Sequence, residues 1–463
     1  MMQPEGAAGT GRTLDAEPRA PRNLALPPPT VALHTAREER FEMSTPTAQQ
    51  PGEVPDDIAD VDLVNPKTHL ERDLAPYWRR LRDHHPVYWH RADGDRPGFW
   101  VISRHADVMA LYRDDRRLTS ERGNVLVTLL AGGDPAAGQM LAVTDGKRHK
   151  DLRNVMLRAF SPRALAKVEN SVRDNARRLV ADAVRRGEVD FVAEVASVIP
   201  LTTIGDLLGV PPQDRTHLLE LTRSSLSSDE ADQDPYEAAL ARNDILLYFS
   251  DLVAERRAHP RDDVITTLTT SEIDGTPLSD EDIVFNCYSL IIGGDETSRL
   301  TMIDAVHTLS GAHAEWQRLR DGAVPLETAT EEILRWATPA MNFGRHALAD
   351  IELCGQVIRA GDAVTLWNTS ANRDERAFPR PDVLDLGRTP NKHTAFGYGP
   401  HFCLGAFLAR MEVREMLDAL RTFASGFELT GAPRRIHSNL MTGMSYLPVR
   451  FTPDEAGLAT ADA

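Results

Sequence analysis

A mostly helical fold with small β-sheets is what the sequence predicts for residues 56–455, and three observations carry that prediction. Helical periodicity dominates from Asp56 onward, with apolar residues recurring at the spacing of one helix face. Strand-like runs are few and short, at residues 87–89, 98–103, 351–353 and 363–367, where β-branched and aromatic side chains gather. Neither a repeat of solenoid period nor a Gly/Ser linker divides the region, so it reads as one large domain.

The flanks differ in composition. Residues 1 to about 55 are rich in Pro, Ala, Gly and charge, include Pro27-Pro28-Pro29, and carry no sustained apolar period. Such a segment cannot bury enough apolar surface to offset chain ordering, so a disordered extension is expected. Met43 lies inside it and is a candidate start, and residues 456–463 are expected to form a flexible tail.

A hydrophobic content of 41% supplies a sizeable core for the domain between. The formal charge of −17 argues against a nucleic-acid partner, because phosphate binding needs a basic footprint. Three cysteines, Cys287, Cys354 and Cys403, are an odd number in a long chain and fit a reducing, cytoplasmic compartment. No apolar run approaches the roughly 18 residues of a bilayer span. The N-terminus also lacks the basic-then-apolar pattern of a secretory leader, so neither a membrane anchor nor secretion is expected.

The most specific segment is Phe396-Gly-Tyr-Gly-Pro-His-Phe-Cys-Leu-Gly405, which runs into an amphipathic stretch at 406–423. Cys403 then opens a helix, where free amides and the dipole favour an anion, so a thiolate of depressed pKa and metal-binding competence is expected. Gly397, Gly399 and Gly405 remove side chains where a loop turns tightly and a flat cofactor approaches the backbone. Cys287 and Cys354 have no such frame and read as inert thiols.

Two further segments matter. Glu332-Ile-Leu-Arg335, in a helical run at 326–338, places a carboxylate and a guanidinium on one face. Alone, that pair reads as a solvated surface salt bridge. Ile291-Ile-Gly-Gly-Asp-Glu-Thr-Ser-Arg299 lies inside a long helical pattern that opens at Ser279 with a capping-box-like Ser279/Asp282 pair. Each glycine there costs about 1 kcal/mol relative to alanine. Close helix packing is the bland explanation, and the following Glu296-Thr297 points to a functional one.

The frame Phe-Gly-x-Gly-x-His-x-Cys-x-Gly is identified as the haem-binding signature of the cytochrome P450 family, and residues 60–453 resemble that family in the order of their motifs. The resemblance implies the triangular, mostly helical cytochrome P450 prism, holding haem b with Cys403 as the metal ligand. Glu332 and Arg335 would brace the core behind the haem. Gly294 would lie against the cofactor, Thr297 would position a proton for dioxygen chemistry, and Glu296 would lead protons in from solvent. The haem propionates would be held by His149 and Arg153, one helical turn apart, by Arg345, and by His401. In the meander segment Phe378-Pro-Arg-Pro-Asp-Val-Leu-Asp, Val383-Leu384 stand where the family usually has Arg-Phe. The third member of the bracing network is thus left open between backbone carbonyls and Arg380.

The reaction implied is insertion of one dioxygen atom into a C–H or C=C bond of a medium or large organic substrate, such as a bacterial natural-product intermediate. That substrate would be free or carrier-protein-bound, and electrons would come from NAD(P)H through a ferredoxin and its reductase. Desaturation or oxidative coupling on the same fold is the alternative reaction, and a non-catalytic binding or recruitment scaffold is the alternative function. The pocket would be lined by residues 124–130, 218–228, 289–293, 340–343 and 441–444. Asn342 is either a polar anchor there or a residue that satisfies local backbone groups.

Overall fold

Five short strands share one sheet in the order β1-β2-β5-β4-β3. They are β1 (Val87–His90), β2 (Phe99–Ile102), β3 (Leu118–Thr119), β4 (Asn342–Ala347) and β5 (Ala363–Trp367). This computed structural model describes residues 56–94, 96–159, 162–226 and 235–461; the extension expected to be disordered, with Met43, lies outside them. All five residues of β5 are buried, which is why Ala-Val-Thr-Leu-Trp reads as an apolar run rather than an alternation. It pairs parallel with β2 and antiparallel with β4, setting Val364 opposite both Trp100 and Arg345. The run at 351–353 forms a separate hairpin with Gln356–Ile358. A three-stranded sheet of Ala424–Leu429, Pro448–Pro453 and Glu188–Asp190 was not foreseen.

The helices that carry the site are α1 (Gly146–Ala159), α2 (Pro162–Arg186), α3 (Val198–Leu208), α4 (Arg215–Leu226), α5 (Asp280–Gly311), α6 (Leu326–Ala337) and α7 (Ala406–Phe423). Helix α5 opens with the expected capping box: the Ser279 hydroxyl accepts from the Asp282 amide at 3.0 Å, and the Asp282 carboxylate accepts from the Ser279 amide at 3.2 Å. It runs for 32 residues through the centre of the domain, packed by α3, α4, α6 and α7. A helix surrounded on most sides must be apolar around most of its circumference, and Ile291, Leu300, Met302, Ile303 and Val306 are buried accordingly. The tail expected to be flexible from residue 456 begins instead as a docked helix, Glu455–Leu458. It is capped by Asp454 on the Gly457 amide at 3.0 Å and anchored by buried Leu458.

Two acids are buried where these helices meet. Asp295 on α5 accepts from the Thr222 hydroxyl of α4 at 3.5 Å, and Glu412 on α7 meets Ser298 and Thr203. Burial, then the charge of Glu296, pushes Asp295 up to about 7 against Arg299 and Arg223, and burial pushes Glu412 up to about 8. The folded state therefore keeps protons that the unfolded chain releases above pH ~4. Stability falls as pH rises from there through the two folded values and levels beyond them, costing about 4 to 5 kcal/mol per acid at most. Asp295→Asn and Glu412→Gln are each expected to raise the thermal midpoint at pH 9 by several degrees and to raise it markedly less at pH 5. A midpoint difference independent of pH would locate the effect elsewhere.

Candidate active site

The Cys403 loop is shaped by two left-handed glycines, Gly397 at φ +64 and Gly399 at φ +71. A Cβ on Gly399 would collide with the Tyr112 carbonyl, so a side chain is excluded there on two counts. Gly405 departs from the expectation: its φ of −85 suits any residue, and its missing Cβ matters only for the Cys403 sulfur, 4.0 Å away. Helix α7 begins at Ala406, so Cys403 sits just ahead of its first turn, its amide donating to the Phe396 carbonyl at 3.0 Å. The Cys403 side chain keeps accessible surface although the sulfur lies deep enough for burial to raise its pKa, against the Gly405 amide, Arg153 and Arg410. The depressed pKa expected from the helix start is therefore outweighed by burial. Coordination to a cation reverses that balance, because a ligating thiol is deprotonated outright.

The four residues assigned to the propionates come together. The rings of His149 and His401 lie 4.2 Å apart between centroids, and Nε2 of His401 donates to Asp145 at 2.7 Å. Asp145 also accepts from the Thr119 hydroxyl at 2.7 Å and the Ser120 amide at 2.6 Å. Burial alone would push the Asp145 carboxyl up; hydrogen bonds from His401, Thr119 and Ser120 hold it well below the usual range. Burial, then the charges of His401 and Arg153, pushes His149 down to about 4. Nε2 of His149 is buried without a hydrogen-bond partner. Arg345 is also buried, its guanidinium 5.6 Å from the Tyr112 ring and donating to the Gly344 carbonyl at 2.6 Å. Half-buried Arg153 lies within electrostatic reach of Cys403.

This set fits haem. A cysteine that keeps accessible surface, glycines that keep side chains off the loop, two guanidinium groups and an unpartnered buried imidazole nitrogen are what an iron porphyrin with two carboxylates needs. Asp145 was missed as a site residue. Its one sequence signal, Thr144-Asp145-Gly146 ahead of a helical pattern, marks a helix start and says nothing of His401.

On α5, Gly293 is exposed, and a Cβ there would meet open space. Ser289, Ile292 and Thr297 on the same side of α5 also keep accessible surface, at helical spacing. The Thr297 hydroxyl donates to the Gly293 carbonyl at 2.9 Å. Gly294 faces elsewhere. Its Cβ would press on Ile204 of α3 at 3.2 Å, so this glycine serves close helix packing rather than cofactor approach. Glu296, expected to lead protons in from solvent, is fully buried and pairs through both carboxylate oxygens with Arg299, whose Nε lies 3.0 Å away. Strand alternation sets Asn342 on the face of β4 opposite Phe343 and Arg345. Its side-chain nitrogen donates to the Asn439 carbonyl at 2.9 Å, the backbone-satisfying contact, while its buried Oδ1 has no hydrogen-bond partner, so one half of the amide is open to the anchor reading.

Glu332 and Arg335 are both 0% exposed, which removes the surface salt bridge as an explanation. Arg335 donates to the two Glu332 oxygens at 2.8 and 2.7 Å and to the Asn372 and Pro381 carbonyls. The open third position is filled by Arg388, not Arg380. Nε of Arg388 lies 3.1 and 3.0 Å from the two Glu332 oxygens, and its other nitrogens bond the Pro379, Arg380 and Val383 carbonyls. The meander is thus tied to α6 through backbone carbonyls, and Val383 itself is exposed.

Comparison with known proteins agrees with this geometry. Residues 324–445 match the family model described as Cytochrome P450. Cytochrome P450 NovI of Streptomyces niveus is 46% identical over 398 residues, covering 86% of this chain and 98% of that protein. Linalool 8-monooxygenase of Pseudomonas putida is 33% identical over 402 residues, covering 85% and 99%. The crystal structure of P450 OxyD, described as involved in the biosynthesis of vancomycin-type antibiotics, superposes with a TM-score of 0.76 at 33% identity, covering 85% of this chain and 100% of that one. With its Cys403 loop, buried Glu332–Arg335 brace and full-length relatives, the chain belongs to the cytochrome P450 family of haem-dependent monooxygenases.

Proposed function

We propose that this monooxygenase inserts one atom of dioxygen into a C–H or C=C bond of a medium or large natural-product intermediate, free or carrier-protein-bound. The observation that carries the reading is the run of accessible positions Ser289, Ile292, Gly293 and Thr297 on the central helix α5, with Gly293 exposed, in the same domain as an accessible Cys403. Similarity to OxyD supports the natural-product class. Among the described residues no helix is long and apolar enough to cross a membrane and no further metal cluster occurs. Cytoplasmic operation, with electrons from NAD(P)H through a ferredoxin and its reductase, fits that picture.

In this reading haem ligated by Cys403 supplies the dioxygen chemistry, the thiolate pushing electron density onto iron. His149, Arg153, Arg345 and His401 hold the propionates. Thr297 presents a hydroxyl whose proton is already oriented along its own helix toward the Gly293 carbonyl. Glu296 resupplies that hydroxyl after leaving Arg299. The test is Thr297→Ala, which leaves the helix intact because the hydroxyl bonds only its own backbone. Product per NAD(P)H consumed is expected to fall about tenfold, the low end of general-acid contributions being larger still, with hydrogen peroxide accounting for the lost electrons. An unchanged ratio of product to NAD(P)H would show that Thr297 is structural. Screening a natural-product library for displacement of the haem water by absorbance identifies the substrate class.

A further inference from the structure

Glu331 and Glu332 are neighbours on α6 but about 100° apart around the helix, so they serve different partners. While Glu332 braces the meander, Glu331 reaches the Cys403 loop. Its carboxylate accepts from Nε2 of His393 at 3.2 Å and from Arg410 of α7 at 2.5 and 3.0 Å. The Arg410 guanidinium lies 4.6 Å from the centroid of the Phe396 ring, and the His393 ring packs on the same phenyl at 5.8 Å. The Phe396 carbonyl in turn accepts the Cys403 amide at 3.0 Å. One carboxylate thus fastens a cation and an imidazole around the residue that supports the sulfur.

Two cations bear on this loop: Arg410 lies over the Phe396 ring, whose own carbonyl accepts the Cys403 amide, and Arg153 is one turn from His149 on α1. Arg153 is assigned to the propionates, whereas Arg410 is committed to Glu331. Burial alone would raise the Glu331 carboxyl, but hydrogen bonds from His393 and Arg410 bring it down to about 2, so it is an anion across the working pH range. We infer that Glu331 is a positioning residue that holds Arg410 against Phe396 and partly cancels its field at the sulfur, so that this pair sets the haem reduction potential. Groups one step out from a ligand tune the metal in this way, and one-electron reduction by an external donor adds negative charge that a nearby cation favours.

The inference rests on Cys403 as the ligand, and the experiment separates the two. Ferric haem protein without substrate is titrated spectroelectrochemically for the parent, Glu331→Gln, Arg410→Gln and Arg410→Lys, and the carbon-monoxide band of each is recorded. Glu331→Gln keeps the shape and leaves Arg410 uncompensated, so the potential is expected to rise. Arg410→Gln removes the cation and should lower it, while Arg410→Lys keeps the charge and should stay near the parent. Solvent screening of these part-exposed groups limits each shift to about threefold in the reduction equilibrium, ~28 mV for one electron. If Arg410→Gln loses haem, Glu331→Gln decides alone. A Glu331→Gln potential equal to or below the parent, with the thiolate carbon-monoxide band intact, overturns the network's role. Absence of that band in the parent overturns the ligation itself, and the inference with it.

Discussion

Glu332→Gln is expected to yield little or no folded, haem-loaded protein. The parent carboxylate is fully buried and receives Arg335, Arg388, the Asn391 amide at 3.1 Å and the Asp385 backbone amide at 3.1 Å. Removing its charge leaves two guanidinium groups in the interior with only carbonyl acceptors. Breaking a buried ion pair from one side costs about 3–5 kcal/mol, a large share of the roughly 5–15 kcal/mol that holds a domain folded. The second arginine puts this site at the upper end. Glu428→Gln is the control, since Glu428 and its partner Arg450 are 67% and 54% exposed. Such a pair contributes under about 1 kcal/mol. Soluble yield, haem-to-protein ratio and thermal midpoint should collapse for the first variant and hold for the second. A Glu332→Gln protein that takes up haem normally and melts with the parent would remove the bracing role.

Much of this arrangement was legible in the sequence wherever short-range physics determines it. The start of α5 follows from one serine and one aspartate three residues apart, and α7 from an uninterrupted amphipathic run. Strands β1, β2 and β5 announce themselves by aromatic and β-branched residues. Strand β4 does not. Asn-Phe-Gly-Arg-His-Ala has little intrinsic strand preference and extends because β5 and β3 pair with it on either side. The four propionate candidates lie close together, as the family resemblance implied.

The remaining differences share one cause: helix and strand position decides what a side chain faces, and a motif does not state it. Gly294 follows Gly293 by about 100° of helix, enough to move it from open space onto Ile204. Glu296 turns from the expected solvent path to Arg299, three residues along the same helix. Asn342 is one strand position from Phe343, hence on the other face. Arg388 was missed because an arginine reaching a buried carboxylate is recognised by the partner it meets, and no local pattern records that partner. At Cys403 the helix start and burial act in opposite directions, and only the structure shows that burial prevails for the free thiol.

Thiolate ligation by Cys403 is the central claim, and the absorption spectrum of the reduced, carbon-monoxide-bound protein tests it most directly. Cys403 is the cysteine held in the glycine-shaped loop, whereas Cys287 is fully buried, with burial pushing its thiol far up, and Cys354 sits in the turn of a hairpin beside Asp107. The parent is expected to show the strongly red-shifted Soret band of a thiolate-ligated haem. Cys403→Ser should lose that band completely, since a neutral hydroxyl cannot replace the thiolate's electron donation. Cys287→Ser and Cys354→Ser should keep it. A Cys403→Ser protein that retains the red-shifted band would contradict the account, because some other sulfur would then be the ligand.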